Sequence, residues 1–156
     1  MALAPNSPAP DFTLLSKTAE GLKPITLSSL RGSVVVLFFF PAAFTGVCTD
    51  EFCSLSGGLN AIDGAEVFGV SCDTAFAQAA WAEQNKITVP LLSDYQHGVT
   101  AAYDVVLPDL AGHGPACKRA AFVIDASGVV VYSEETPTPG DLPNFEAVKA
   151  AVQAAR

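Results

Sequence analysis

Residues Ser33-Val34-Val35-Val36-Leu37-Phe38-Phe39-Phe40 form an unbroken β-branched and aromatic run, and Pro41 closes it. A strand with one face in water alternates polar and apolar residues, whereas a continuous apolar run bounded by a breaker fits a strand covered on both faces, the central position of an α/β sheet. Downstream, Val47, Phe52, Leu55 and Leu59 lie broadly to one side of a helix expected from Thr45 to about Leu59. Ala65 to Cys72 reads as a second buried strand, and Asp73 or Thr74 can cap a helix running to about Lys86. Thr88 to Leu92 reads as a short strand, His97 to Tyr103 as a short helix and Leu107 to Ala116 as a loop. Upstream, Asp11 to Leu15 and Lys23 to Leu27 read as two short strands joined by a turn at Glu20-Gly21, and Ser28 or Ser29 can cap a brief helical turn ended by Gly32. Arg119 to Asp125, the turn Ala126-Ser127-Gly128 and Val129 to Ser133 form a hairpin, and Leu142 to Arg156 a last helix with Phe145, Val148 and Val152 on one stripe. This order predicts an α/β sandwich with a mixed sheet, as one domain over residues 1–156.

Composition narrows the function. The chain carries 8 Lys+Arg against 16 Asp+Glu, a net charge of −8. That balance argues against nucleic acid and anionic lipid as partners, since both need a basic face. Hydrophobic residues make up 50% and charged residues 15%, the reverse of a disordered chain. The longest uncharged apolar run, Val34 to Phe44, contains Pro41 and falls well short of the roughly 20 residues of a membrane span. The first basic residue is Lys17, so no positive leader region opens the chain. These features predict a cytoplasmic protein with no membrane association. Its 4 cysteines are too sparse for a disulfide scaffold and point to redox or metal chemistry instead.

The chemistry concentrates at Cys48, in the first turn of the helix that follows the central strand. Ligand sites of open α/β sheets lie beyond the C-terminal ends of the strands. At a helix N-terminus the dipole and the unpaired N–H groups favour an anion, and a thiolate is that anion. A small core cysteine is the competing reading from the residue alone.

Pro41, Thr45 and Cys48 stand as Pro-x-x-x-Thr-x-x-Cys, which resembles the active-site motif of the peroxiredoxins. The resemblance spans nearly the whole chain. Ala9-Pro10-Asp11-Phe12 is similar to the usual opening of that family, Gly69-Val70-Ser71-Cys72-Asp73 and Trp81 to its next strand and helix, and Arg119-Ala120-Ala121-Phe122-Val123-Ile124-Asp125 to the segment carrying its active-site arginine. The implied fold is thioredoxin-like with an N-terminal β extension. The implied activity is a thiol-dependent peroxidase for hydrogen peroxide and organic hydroperoxides, serving antioxidant defence, with no metal, haem or flavin cofactor.

The resemblance implies roles for particular residues. Cys48 is the peroxidatic cysteine, oxidised to a sulfenic acid. Thr45 hydrogen-bonds thiolate and peroxide, and its position also allows it to cap the helix. Arg119, one of three arginines in an acidic chain, stabilises the thiolate and the departing oxygen. Backbone N–H groups of Val47 and Cys48 complete the peroxide cradle, Pro41 shields the sulfur, and Glu51 orients the arginine. His97 and His113 receive no role.

Cys53 is the expected resolving thiol, closing an intramolecular disulfide with Cys48. Cys53 gives a Cys-x-x-x-x-Cys spacing similar to the bacterioferritin-comigratory-protein subgroup, while Ala-Phe-Thr-Gly-Val-Cys resembles the alkyl-hydroperoxide-reductase-E-like subgroup, usually described with one essential cysteine. On an intact helix the Cα atoms of Cys48 and Cys53 stand about 8.6 Å apart, beyond the roughly 7 Å limit for a disulfide, so bridging requires the first turn to unwind. Cys117, two residues before Arg119, is the alternative, and an external thiol the third; Cys72 reads most simply as a core residue. A thioredoxin-type dithiol protein is the expected reductant. The expected assembly is a monomer or a homodimer. A zinc site or a thioredoxin-like oxidoreductase would need Cys-x-x-Cys pairs that the chain lacks.

Overall fold

The computed structural model describes residues 1–156. The run opening at Ser33 becomes β3 (Val35–Phe39), with all five residues buried. It is preceded by β1 (Thr13–Thr18), β2 (Gly21–Thr26) and a single 3-10 turn (Leu27–Leu30). It is followed by α1 (Gly46–Leu55), β4 (Glu66–Ser71), α2 (Ala75–Asn85), β5 (Leu91–Ser93) and α3 (Gly98–Ala102). Two short strands, β6 (Val106–Leu107) and β7 (Ala116–Cys117), precede the hairpin β8 (Ala120–Ile124) and β9 (Val130–Glu135), and α4 (Phe145–Ala155) closes the chain.

The main sheet has 7 strands in the order β2-β1-β5-β4-β3-β8-β9. β3 pairs parallel with β4 and antiparallel with β8, so the sheet is mixed and β3 lies inside it. The thioredoxin-like sandwich with an N-terminal β hairpin is therefore the observed fold. Alternation along β3 feeds two cores. Val36, Phe38 and Phe40 pack with Phe52 and Leu55 of α1, Trp81 of α2, and Phe145, Val148 and Val152 of α4. Val35, Leu37 and Phe39 pack on the opposite face with Phe12, Leu27, Tyr103 and Cys117. α1 sits close on the sheet because Gly69 leaves room for it: a Cβ there would come within 2.5 Å of Phe52 Cε1.

Several boundaries differ from the sequence reading. α1 stops at Leu55 because the chain reverses through Ser56 and Gly57, the latter at φ +88; Leu59, expected on the buried side, is 91% exposed. The first strand starts two residues later than expected and runs to Thr18, because β1 and β2 pair in register down to Thr18 opposite Gly21. The segment expected to be a loop from Leu107 to Ala116 begins and ends in a two-stranded ladder of β6 and β7. Thr74, not Asp73, caps α2, its hydroxyl accepting from the Ala77 N–H. Asn144 caps α4, setting its start at Phe145 rather than Leu142.

Candidate active site

β3 delivers the chain to the buried Pro41, and a turn through Phe44 at φ 65 redirects it into α1. A bulky residue at positive φ is strained, and the turn aims the start of α1 at the end of the sheet. The first hydrogen bond of the helix runs from the Thr49 N–H to the Thr45 carbonyl at 3.0 Å. The N–H groups of Val47 and Cys48 precede it and have no intrahelical acceptor. Asp73, at the end of the adjacent strand, accepts from the Ala43 N–H at 2.8 Å and from the Ser71 hydroxyl at 2.7 Å, pinning this loop to β4.

Cys48 is 1% exposed and packs in the α1-side core. Arg119, just before β8, crosses to it: Nη2 lies 3.2 Å from Cys48 Sγ. Nη1 donates to Glu51 Oε1 at 2.6 Å, and Nε and Nη2 donate to the Pro139 carbonyl at 3.0 and 2.9 Å. The guanidinium is thereby held from three directions at 2% exposure. Cys48 and Glu51 stand three residues apart on α1 and present to the same side, which lets one arginine meet both.

Glu51 is fully buried and its Oε2 has no partner. Burial pushes its carboxyl from the ordinary 4.5 up to about 7, against the opposing pull of Arg119, with the charge of Glu134 adding to the rise. The charge on Glu51 therefore changes in the neutral range, beside a guanidinium that faces the Cys48 sulfur.

Thr45 is placed differently from the expectation. Its hydroxyl neither caps α1 nor reaches Cys48; it donates to the Ala42 carbonyl at 2.7 Å. Thr45 has one hydroxyl proton, and that bond uses it, leaving lone pairs on the oxygen to accept a hydrogen bond. Cys53 is exposed on the intact helix, its thiol 3.6 Å from the Asn85 carbonyl. Cys117 is fully buried in the core on the other face of the sheet, so the structure brings Cys48, Arg119 and Glu51 together and leaves Cys117 apart from them. The Pro139 carbonyl and the bond from Trp81 Nε1 to Thr49 Oγ1 at 3.0 Å escaped the sequence reading. A backbone acceptor in a loop and an indole tens of residues away carry no spacing signal.

The AhpC/TSA family model matches residues 5–133. The chain belongs to the AhpC/TSA family. Several of its relatives and structural neighbours carry peroxiredoxin names. Rat peroxiredoxin-2 is 36% identical over 155 residues, covering 94% of this chain and 74% of its own length. The mitochondrial thioredoxin-dependent peroxide reductase of Drosophila melanogaster is 33% identical over 138 residues, covering 83% of this chain and 57% of its own length. A Synechocystis sp. sequence assigned to the peroxiredoxins is 36% identical, and this chain spans 66% of its length. Among solved structures, the peroxidoxin BcpB of Mycobacterium tuberculosis superposes with a TM-score of 0.80 at 31% identity, covering 99% of both chains. The Aquifex aeolicus peroxiredoxin-like protein gives 0.87 at 27% identity, over 100% of this chain and 90% of that one. For this AhpC/TSA chain the family resemblance read from Pro41, Thr45, Cys48 and Arg119 thus stands. No helix of the chain is long and apolar enough to cross a membrane.

Proposed function

We propose that the chain is a thiol-dependent peroxidase that reduces hydrogen peroxide and organic hydroperoxides at Cys48. The observation that carries this reading is the 3.2 Å contact between Arg119 Nη2 and Cys48 Sγ at the start of α1. The guanidinium and the helix N-terminus both face a sulfur otherwise buried in an apolar core, so positive charge surrounds the place where a reacting sulfur and a departing oxygen would carry negative charge. The thiolate attacks the distal oxygen of the hydroperoxide, the O–O bond breaks, and sulfur becomes sulfenic acid while alcohol or water leaves. Arg119 and the N–H groups of Val47 and Cys48 stabilise the charge that moves onto oxygen. Thr45 accepts the peroxide O–H with the lone pairs that its bond to Ala42 leaves free. Pro41 walls the sulfur from water, and Glu51 with the Pro139 carbonyl fixes the guanidinium plane.

Two relatives support the reading from outside the chain. One is named a thioredoxin-dependent peroxide reductase, and a reduced Vibrio vulnificus Prx3 of 29% identity and TM-score 0.80, covering 96% of this chain, was solved with hydrogen peroxide.

Cys53 resolves the sulfenic acid as an intramolecular disulfide. It is exposed on the same helix, whereas Cys117 lies in the opposite core. The bridge requires the first turn of α1 to open, since five residues of intact helix hold the Cα atoms about 8.6 Å apart. Opening costs least at a helix terminus, and Gly46 stands there. A thioredoxin-type dithiol then restores the thiols, a cycle suited to a reducing compartment such as the cytoplasm. Peroxide consumption with a dithiol protein as reductant tests the proposal: the wild type turns over and Cys48→Ser does not, while retention of most of the rate by Cys48→Ser overturns it.

A further inference from the structure

Away from Cys48, on the opposite face of the sheet, a second pair of thiols meets. Cys72 follows the last residue of β4, and Cys117 ends β7; 45 residues separate them in sequence, yet their sulfurs stand 3.5 Å apart. Cys117 is fully buried and Cys72 is partly exposed, so one sulfur faces the core and the other solvent. The two are held by a common group. Thr100 Oγ1 lies 3.1 Å from Cys117 Sγ and 3.5 Å from Cys72 Sγ. Its hydroxyl and its backbone N–H both donate to Asp94 Oδ2 at 2.6 Å, and Asp94 Oδ1 accepts from the Val99 N–H at 3.2 Å.

We propose that Cys72 and Cys117 form a second redox centre, a dithiol that hydroperoxide oxidises to an internal disulfide joining the end of β4 to β7. The contact is about 1.5 Å longer than a disulfide bond, a closure within reach of small side-chain rotations and a shift of the two-residue strand β7. A metal site is the competing use of two close thiols, and no third histidine, cysteine or carboxylate converges with them. The ionisation of the pair suits the chemistry. A hydrogen bond from the Cys117 thiol favours the thiolate on Cys72, while burial pushes the Cys117 thiol well above the ordinary range. The nucleophile is therefore the outer sulfur, which solvent reaches, and the inner sulfur keeps its proton.

The reaction takes two steps. The Cys72 thiolate attacks the distal peroxide oxygen, the O–O bond breaks, and the departing alkoxide or hydroxide takes a proton from water, leaving Cys72 as a sulfenic acid. The Cys117 sulfur then attacks Cys72 sulfur. The S–S bond forms, the S–O bond breaks, and the thiol proton of Cys117 leaves with the hydroxide as water. The two sulfurs give up two electrons in all, and the peroxide accepts them. A dithiol reverses the process by attacking from the Cys72 side.

The test does not depend on the role proposed for Cys48. In the full chain carrying Cys48→Ser and Cys53→Ser, only Cys72 and Cys117 remain as thiols. After hydrogen peroxide, intact mass should fall by two hydrogens, peptide mapping should give a linked Cys72–Cys117 fragment, and a dithiol reductant should restore both thiols. The same linked fragment is expected from the peroxide-treated wild type, so a folding defect in the double variant does not decide the matter. Oxygen adducts on Cys72 with Cys117 still alkylatable, or two thiols left free under excess peroxide in both proteins, would overturn the proposal.

Discussion

Glu51→Gln isolates the electrostatics of the site. The substitution keeps the size of the side chain and an oxygen able to accept from Arg119 Nη1, and it removes the titration. In the folded protein the carboxyl protonates near 7 rather than at 4.5, because burial outweighs the guanidinium. Folded Glu51 thus holds its proton where the unfolded chain has lost it. Stability from this group is fully present below about 4.5 and is lost as the pH rises to about 7 and beyond. At about 1.4 kcal/mol per pH unit the loss is about 3 kcal/mol. Urea unfolding of both proteins from about pH 4.5 to about pH 8 measures it, since titrations of groups that do not interact with Glu51 cancel in the difference. The wild type should lose about 3 kcal/mol relative to Glu51→Gln across that range. A difference independent of pH would refute the reasoning. So would one of opposite sign, which would mean that Arg119 outweighs burial and that Glu51 is a plain ion-pair partner.

Other expectations follow from the same contacts. Arg119→Met should slow both the reaction with hydroperoxide and the alkylation of Cys48 at fixed pH, the former by about 100-fold or more, because the cation beside the sulfur and the developing oxyanion is gone. Stopped-flow and iodoacetamide kinetics report the two, and unchanged rates would remove the arginine from the mechanism. Disulfide formation between Cys48 and Cys53 should change the fluorescence of Trp81, the one tryptophan, since melting the first turn breaks its bond to Thr49. In Cys53→Ser the signal should be absent and Cys48 should proceed to sulfinic acid under excess peroxide, whereas a peroxide-resistant Cys53→Ser would return the resolving role to another thiol. Gly69→Ala should destabilise by about 1–3 kcal/mol in urea unfolding, because its Cβ meets Phe52 and Leu91 and forces α1 outward.

What the sequence made legible were features with local causes. The run from Val34 to Phe40 announced β3 because burial on both faces removes every polar residue from a strand. Cys48 was legible because a helix start leaves N–H groups that treat a thiolate as a ligand, and Arg119 because one of only three arginines in an acidic chain stands just before an apolar strand, in a segment that resembles the family's. The end of α1 was misplaced because Leu59 continues the helical spacing past Gly57, and only the reversal of the chain shows that Leu59 faces solvent. Thr45 looked like a cap by type and position; a carbonyl three residues back competes for its single proton. The Cys72–Cys117 contact and the Pro139 carbonyl on Arg119 depend on how β7 and the loop after β9 return to the sheet. Spacing along the chain does not encode such returns.

The most direct test of the peroxidase reading adds less than one equivalent of hydroperoxide to the fully reduced wild type in the absence of any reductant, followed by rapid quenching and peptide mapping of all four cysteines. The account predicts that Cys48 is oxidised first, appearing as a sulfenic acid or as its disulfide with Cys53, while Cys72 and Cys117 remain thiols until more peroxide is supplied. Consumption of the peroxide with Cys48 recovered as a free thiol would contradict it.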